Sequence, residues 1–452
     1  ISESYHNMAT PAKVDLKPIC KYGAKCYRTN EQHLKQFRHS KRDRKDDEEE
    51  EPPKKRKTET TTAKGKAGTI EQFFGKKKPA NEPEKEEEKK EDAGMSGKKS
   101  ETGPEESEEK EDNSGSDTSE NANEEEDDDA EMPESPVDVR ENIKSKFLVE
   151  MPEDFYDFWK LCKNLNSDDP LEALEDTLGF TLVGPYDILA GQHKDVARNS
   201  SGRRPNFLLH WRYYYDPPEF LTVIKGDDKK QFHLGYFRDD PNELPVLVAA
   251  NSAQDNGNFT PKGDNLFAAV SFYISEKLKD KNLPSGGQKS LQKLQEAVKT
   301  AAEAGGYSLE LKTKRMKERD RKVVCKTFHG AGLVVPVDEN EVGYRPVPET
   351  PRDLQKMFAK IRDSKSEAER DKNMDPLQEI ITFIQFANDE CDYGEGIELG
   401  LDLFTFGSKC FHPQVQSLLT LGYQLVGRPE YSKILEAHLK RRSHSPELSQ
   451  ID

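Results

Sequence analysis

The residues best placed to do chemistry crowd one short stretch, "FANDECDYGEG" at 386–396, which puts Asp389, Glu390, Asp392 and Glu395 within seven residues at the end of an expected helix. Like charges so close repel, and carboxylates at a helix C-terminus also face the negative end of the macrodipole, at a cost of about 0.3–1 kcal/mol each. Four readings fit such a cluster. Asp389, Glu390 and Asp392 could ligate a hard cation, but no loop of alternating Asp or Asn supplies further ligands. Cys391 could be a nucleophile, but carboxylates on either side work against a thiolate. A carboxylate could serve as general base, because repulsion, the helix end and desolvation all favour proton uptake, which suits taking a proton from an alcohol. The last reading is inert: a solvated helix end entering a loop at Gly394 and Gly396. A base without a substrate pocket is half an active site, so the cluster alone decides nothing.

A second constellation lies near the start. Cys20, Cys26, His33 and His39 follow the spacing C-x5-C-x6-H-x5-H, and two thiolates with two imidazoles make a tetrahedral zinc set in a segment too short to fold without metal. The pattern is similar to the PBZ family, the poly(ADP-ribose)-binding zinc finger, at Lys17, Cys20, Tyr22, Gly23, Cys26, Tyr27, Arg28, His33, Phe37 and His39. That resemblance implies that Tyr22 and Tyr27 stack on adenine while Arg28 pairs with phosphate, a use that suits such side chains. Further on, "GTIEQFFGKKK" sets Ile70, Phe73 and Phe74 on one face of a helical turn. It resembles the PIP peptide that binds the sliding clamp PCNA, departing from it where Ala67 replaces the usual Gln.

Only part of the chain has the composition to position such sites. Of 452 residues 33% are hydrophobic, against a usual ~45–50%, and the deficit sits in the first third. From 41 to about 134 the text runs "KRDRKDDEEEEPPKKRKTE" and later "ENANEEEDDDAE"; it buries too little apolar surface to offset chain entropy and is expected to be a disordered linker. Much of the net charge of -17 comes from that tract, which argues against bulk duplex binding. Six dispersed cysteines suggest a reducing compartment. No apolar run approaches the ~18–20 residues of a membrane helix. Lys54, Lys55, Arg56 and Lys57 in "PPKKRKTE" read as a nuclear localisation peptide. The chain opens on Ile1, so its start is expected upstream or at Met8.

From 139 the pattern becomes globular. "MPEDFYDFWKLCKNL" has helical spacing, and "TLVGP", "FLLHWRYYY", "LTVIKG", "QFHLGYF" and "LPVLVAAN" read as strands parted by turn residues. Then helices dominate: "GQKSLQKLQEAVKTAAEAGG", and "PLQEIITFIQFANDE" with Leu377, Ile380, Ile381, Ile384 and Ala387 on one stripe, with "GLVVPV" a short strand between them. The expectation is α+β: a finger at 13–40, a linker at 41–138, an antiparallel-sheet-bearing half at 139–281, a mainly helical half at 282–442 and a tail at 443–452. Nucleotide-cradling Gly-rich loops, H-E-x-x-H and G-x-S-x-G do not occur.

"FANDECDYG", "KTFHGAGLVVPVD", "EVGYR", "VGPYDILAG", "HWRYYYDPPEF" and "GYFRDDPNELPV" together resemble the histone PARylation factor 1 family over about 149–439. The resemblance implies a factor that is not an enzyme alone. It would bind DNA-damage-activated poly(ADP-ribose) polymerases, with NAD held by the polymerase, complete a joint active site and direct ADP-ribosylation to serine on histones and other proteins. Glu390 would be the catalytic base; Asp389, Asp392, Tyr344 and Arg345 would contact the polymerase. The implied place of action is nuclear chromatin at DNA damage. The competing class is a poly(ADP-ribose) reader or scaffold.

Overall fold

The computed structural model describes residues 135–452. The finger residues Cys20, Cys26, His33, His39, Tyr22, Tyr27 and Arg28, the basic cluster at 54–57, and Ile70, Phe73 and Phe74 lie outside the described residues. Among those described, the fold is α+β as expected.

Five strands, β1 (Thr181–Leu182), β2 (Phe220–Lys225), β3 (Phe232–Phe237), β4 (Leu247–Ser252) and β5 (Thr260–Pro261), form one antiparallel sheet in sequence order. The β2–β3 register shifts between Thr222 and Ile224. That irregularity breaks the alternation, so Val223 and Ile224 both enter the same core. Against one face pack helices α1 (Val139–Phe147), α2 (Glu153–Leu165), α5 (Leu266–Leu278) and α6 (Ser285–Gly305), while short helices α3 (Glu175–Leu178) and α4 (Pro185–Ala190) flank β1. Phe220, Phe237, Leu247, Phe259 and Met316 bury the other face. Helix α6 falls in the stretch assigned to the helical half, yet Leu291, Leu294, Val298 and Ala302 complete the sheet-side core.

After α7 (Lys314–Asp320), helices α8 (Pro351–Arg362), α9 (Glu367–Asp389), α10 (Gly394–Phe406), α11 (His412–Leu425) and α12 (Pro429–Arg441) enclose a second core. The two cores share one compact unit. Buried polar bonds cross the seam: Tyr423 donates to Glu219 at 2.7 Å and Tyr431 to the Arg238 carbonyl at 3.0 Å.

Two expected strands are absent. The stretch 207–215 is a run of turns, with Trp211 at φ 56°. Its backbone pairs within the turns, the Arg212 amide donating to Leu209 at 3.1 Å and the Tyr213 amide to the Asp216 carboxylate at 3.0 Å, while the buried Arg212 side chain ties the stretch to the carbonyls of Pro217 and Phe220. "GLVVPV" makes only an isolated bridge between Leu333 and Cys325. The tail folds back on the body: Leu448 accepts from the Trp211 amide at 2.7 Å, and the Gln450 amide donates to His210 at 3.0 Å.

Candidate functional site

The acidic cluster sits where α9 stops. Ser366 caps the helix start by accepting from Glu369, Leu377, Ile380 and Ile384 hold its inner face in the second core, and Ala387 is buried on the same stripe. The end is a Schellman turn: the Cys391 amide donates to Asn388 at 3.0 Å and the Asp392 amide to Ala387 at 2.9 Å. Such turns favour glycine at the left-handed position, yet here it is Cys391, at φ 68°. The turn throws Asp392 inward and leaves Asp389 and Cys391 exposed.

A loop following Leu333 clamps this turn. Gly343 adopts φ 135°, and a Cβ there would stand 2.1 Å from the Pro336 carbonyl oxygen. Its amide donates to Asp392 Oδ1 at 3.0 Å, and its carbonyl accepts from the Gly394 amide at 2.9 Å. Gly394 is equally constrained, because a Cβ would meet Val335 at 2.8 Å and Tyr344 at 2.9 Å. The close approach delivers the next two side chains. The Tyr344 hydroxyl donates to Glu398 at 2.9 Å. The Arg345 guanidinium donates to Glu390 Oε2 at 2.8 Å, and its Nε lies 3.1 Å from Asp392 and 3.4 Å from Glu395.

The strain read from the sequence therefore has a counter-ion 45 residues away in the chain. The Glu390 side chain is only 6% exposed, which removes the reading of a solvated helix end. Among the described residues no group of acids, His and Cys is arranged to hold a metal ion; a guanidinium occupies the centre instead. Tyr344, expected to contact a partner, is half-buried. Asp392, expected at a partner surface, is buried and engaged with Gly343 and Arg345.

Sequence reasoning put Glu395 in the cluster without a part of its own and passed over Glu398 and Asp402 farther along α10. Burial pushes Glu395 up to about 7, with Arg345 pulling the other way and Asp392, Glu398 and Glu390 adding to the rise. Glu398 is raised, again mainly by burial, and the Tyr344 hydrogen bond opposes it. Asp402 reaches about 8 by burial, opposed by the Phe328 amide it accepts at 2.7 Å. The spacing of 395, 398 and 402 on an otherwise apolar helix was the available signal.

The family model of Histone PARylation factor 1 matches residues 138–442, and that of the PBZ domain matches 17–42. The chain belongs to the histone PARylation factor 1 family. Among its relatives, Histone PARylation factor 1 of Bos taurus is 52% identical over 309 residues, covering 68% of this chain and 88% of that protein. That of Mus musculus is 51% identical, with 68% and 87% covered, and that of Danio rerio 49% over 306 residues, with 68% and 86%. As a histone PARylation factor 1 family member, the chain carries its clamp and acidic turn inside the matched segment. The PBZ match spans Cys20, Cys26, His33 and His39.

Proposed function

We propose that this chain is an accessory factor for DNA-damage-activated poly(ADP-ribose) polymerases, completing a joint active site that directs ADP-ribosylation to serine on histones and other proteins. The observation that carries the reading is Glu390. Its carboxylate is held at a rigid helix end by one guanidinium, beside exposed Asp389, on a body whose sequence has no nucleotide cradle. A base so placed lacks only a reactant, and a polymerase holding NAD supplies one. The serine Oγ–H gives its proton to Glu390 as Oγ bonds to the ribose carbon and the nicotinamide C–N bond breaks, its electron pair leaving with nicotinamide. Asp389, Tyr344 and Arg345 would flank the docking surface, with Asp392 setting the turn from within.

The PBZ match supports one zinc held by Cys20, Cys26, His33 and His39, with Tyr22, Tyr27 and Arg28 binding poly(ADP-ribose). It also favours the second reading, a polymer reader whose body only docks. Nuclear action at damaged chromatin and clamp binding through Ile70, Phe73 and Phe74 belong to the same proposal. Polymerase, NAD and a serine-containing histone peptide, with and without this chain, test it. Serine modification appearing only with the chain supports the joint site, and none appearing leaves the reader.

A further inference from the structure

Glu395 has no part in the reading above, yet it is a buried acid, 2% exposed in the first turn of α10. It faces the guanidinium that holds Glu390, 3.4 Å from Arg345 Nε. One cation thus serves three carboxylates: Glu390 at 2.8 Å, Asp392 at 3.1 Å and Glu395. The charged groups around Glu395 are Arg345 from the clamp loop, Glu390 and Asp392 from the Schellman turn, and Glu398 farther along α10, itself bonded to Tyr344. A third buried carboxylate against two others is costly where packing alone is at stake, since an apolar side chain would fill the place without charge.

The cost has a use. A guanidinium at hydrogen-bond distance favours the ionised, less basic carboxylate, whereas a base needs proton affinity near its operating pH. We propose that Glu395 is a positioning residue for Glu390: by competing for Arg345 it keeps the guanidinium from neutralising Glu390 completely and leaves that carboxylate able to accept the serine proton. The proposal rests on Glu390 being the base. Glu395 changes charge near neutrality, so Arg345 is divided two ways in mild acid and three ways in mild base.

The test is the single-turnover rate of serine transfer between pH 5.5 and 9. The polymerase complex is preformed and saturated with NAD and histone peptide, and each rate is divided by that of the polymerase's own modification without the chain at the same pH. Wild type is compared with Glu395→Gln and Glu395→Met, and with Glu390→Gln as control; Met keeps an apolar filling should Gln fold poorly. Both Glu395 variants are expected to move the acid limb down by on the order of one pH unit, narrow it toward a single ionisation and lower the alkaline plateau a few-fold. Wild-type profiles in both, with Glu390→Gln inactive, would show that Glu395 only packs. Activity retained by Glu390→Gln would instead remove the base, and this proposal with it.

Discussion

Arg345 is the residue on which the site balances. Replacing it by Ala strands Glu390, Asp392 and Glu395 around a vacated cation position, and removing one partner of a buried pair typically costs ~3–5 kcal/mol. Because the Arg345 side chain is 22% exposed, about 2–3 kcal/mol is expected at pH 8, read by urea unfolding. The cost should shrink at pH 6. Glu395 rises from 4.5 in the ordinary range to about 7 in the fold, so between those values the folded chain binds more protons than the unfolded one. Its contribution to stability is complete below about 4.5 and is lost as pH rises through about 7. A cost equal at both pH values would mean Glu395 does not share the cation. The acids of the turn were legible in the sequence because they are adjacent. Their counter-ion was not, because pairing across 45 residues depends on the clamp loop, and the resemblance gave Arg345 only a polymerase contact.

At the scale of elements, the helix end and the loop are built on two backbone exceptions. Cys391 holds a left-handed conformation that costs a non-glycine residue roughly 1 kcal/mol, so Cys391→Gly should raise stability by about 0.5–1 kcal/mol while serine transfer persists. A loss of stability would show that the side chain makes a compensating contact. Gly343→Ala should act the other way. With a Cβ 2.1 Å from the Pro336 carbonyl oxygen at φ 135°, the loop must move, and Asp392 loses its amide donor. Unfolding at least 2 kcal/mol easier, with serine transfer lost, is the expected outcome; a wild-type melting curve would refute the clamp. Helix α9 was legible from its stripe, although Ser366 starts it well before Pro376. The aromatic run at 207–215 was misread because ring-rich segments suit strands only where a partner strand exists, and here the backbone bonds within its own turns instead.

Across the whole molecule, the family segment and the PBZ segment are matched separately, at 138–442 and 17–42, so their activities should separate by mutation. Tyr27→Ala with Arg28→Ala is expected to leave the zinc content at one per chain and serine transfer in solution unchanged, while weakening poly(ADP-ribose) binding at least ten-fold, since a stacked base contributes about 1–3 kcal/mol. Undiminished polymer binding would assign that face another ligand. The α+β class and the sheet were legible from alternation and turn residues. That α6 belongs to the sheet-side core was not, because its stripe of Leu291, Leu294 and Val298 suits either core and only packing chooses. The central claim is that the body contributes Glu390 to a partner's reaction. The most direct measurement is serine transfer to a histone peptide by polymerase and NAD with Glu390→Ala, beside calorimetric affinity for the polymerase. A rate lower by about 10²–10⁴-fold with near-unchanged affinity is predicted, and a variant as active as wild type would contradict it.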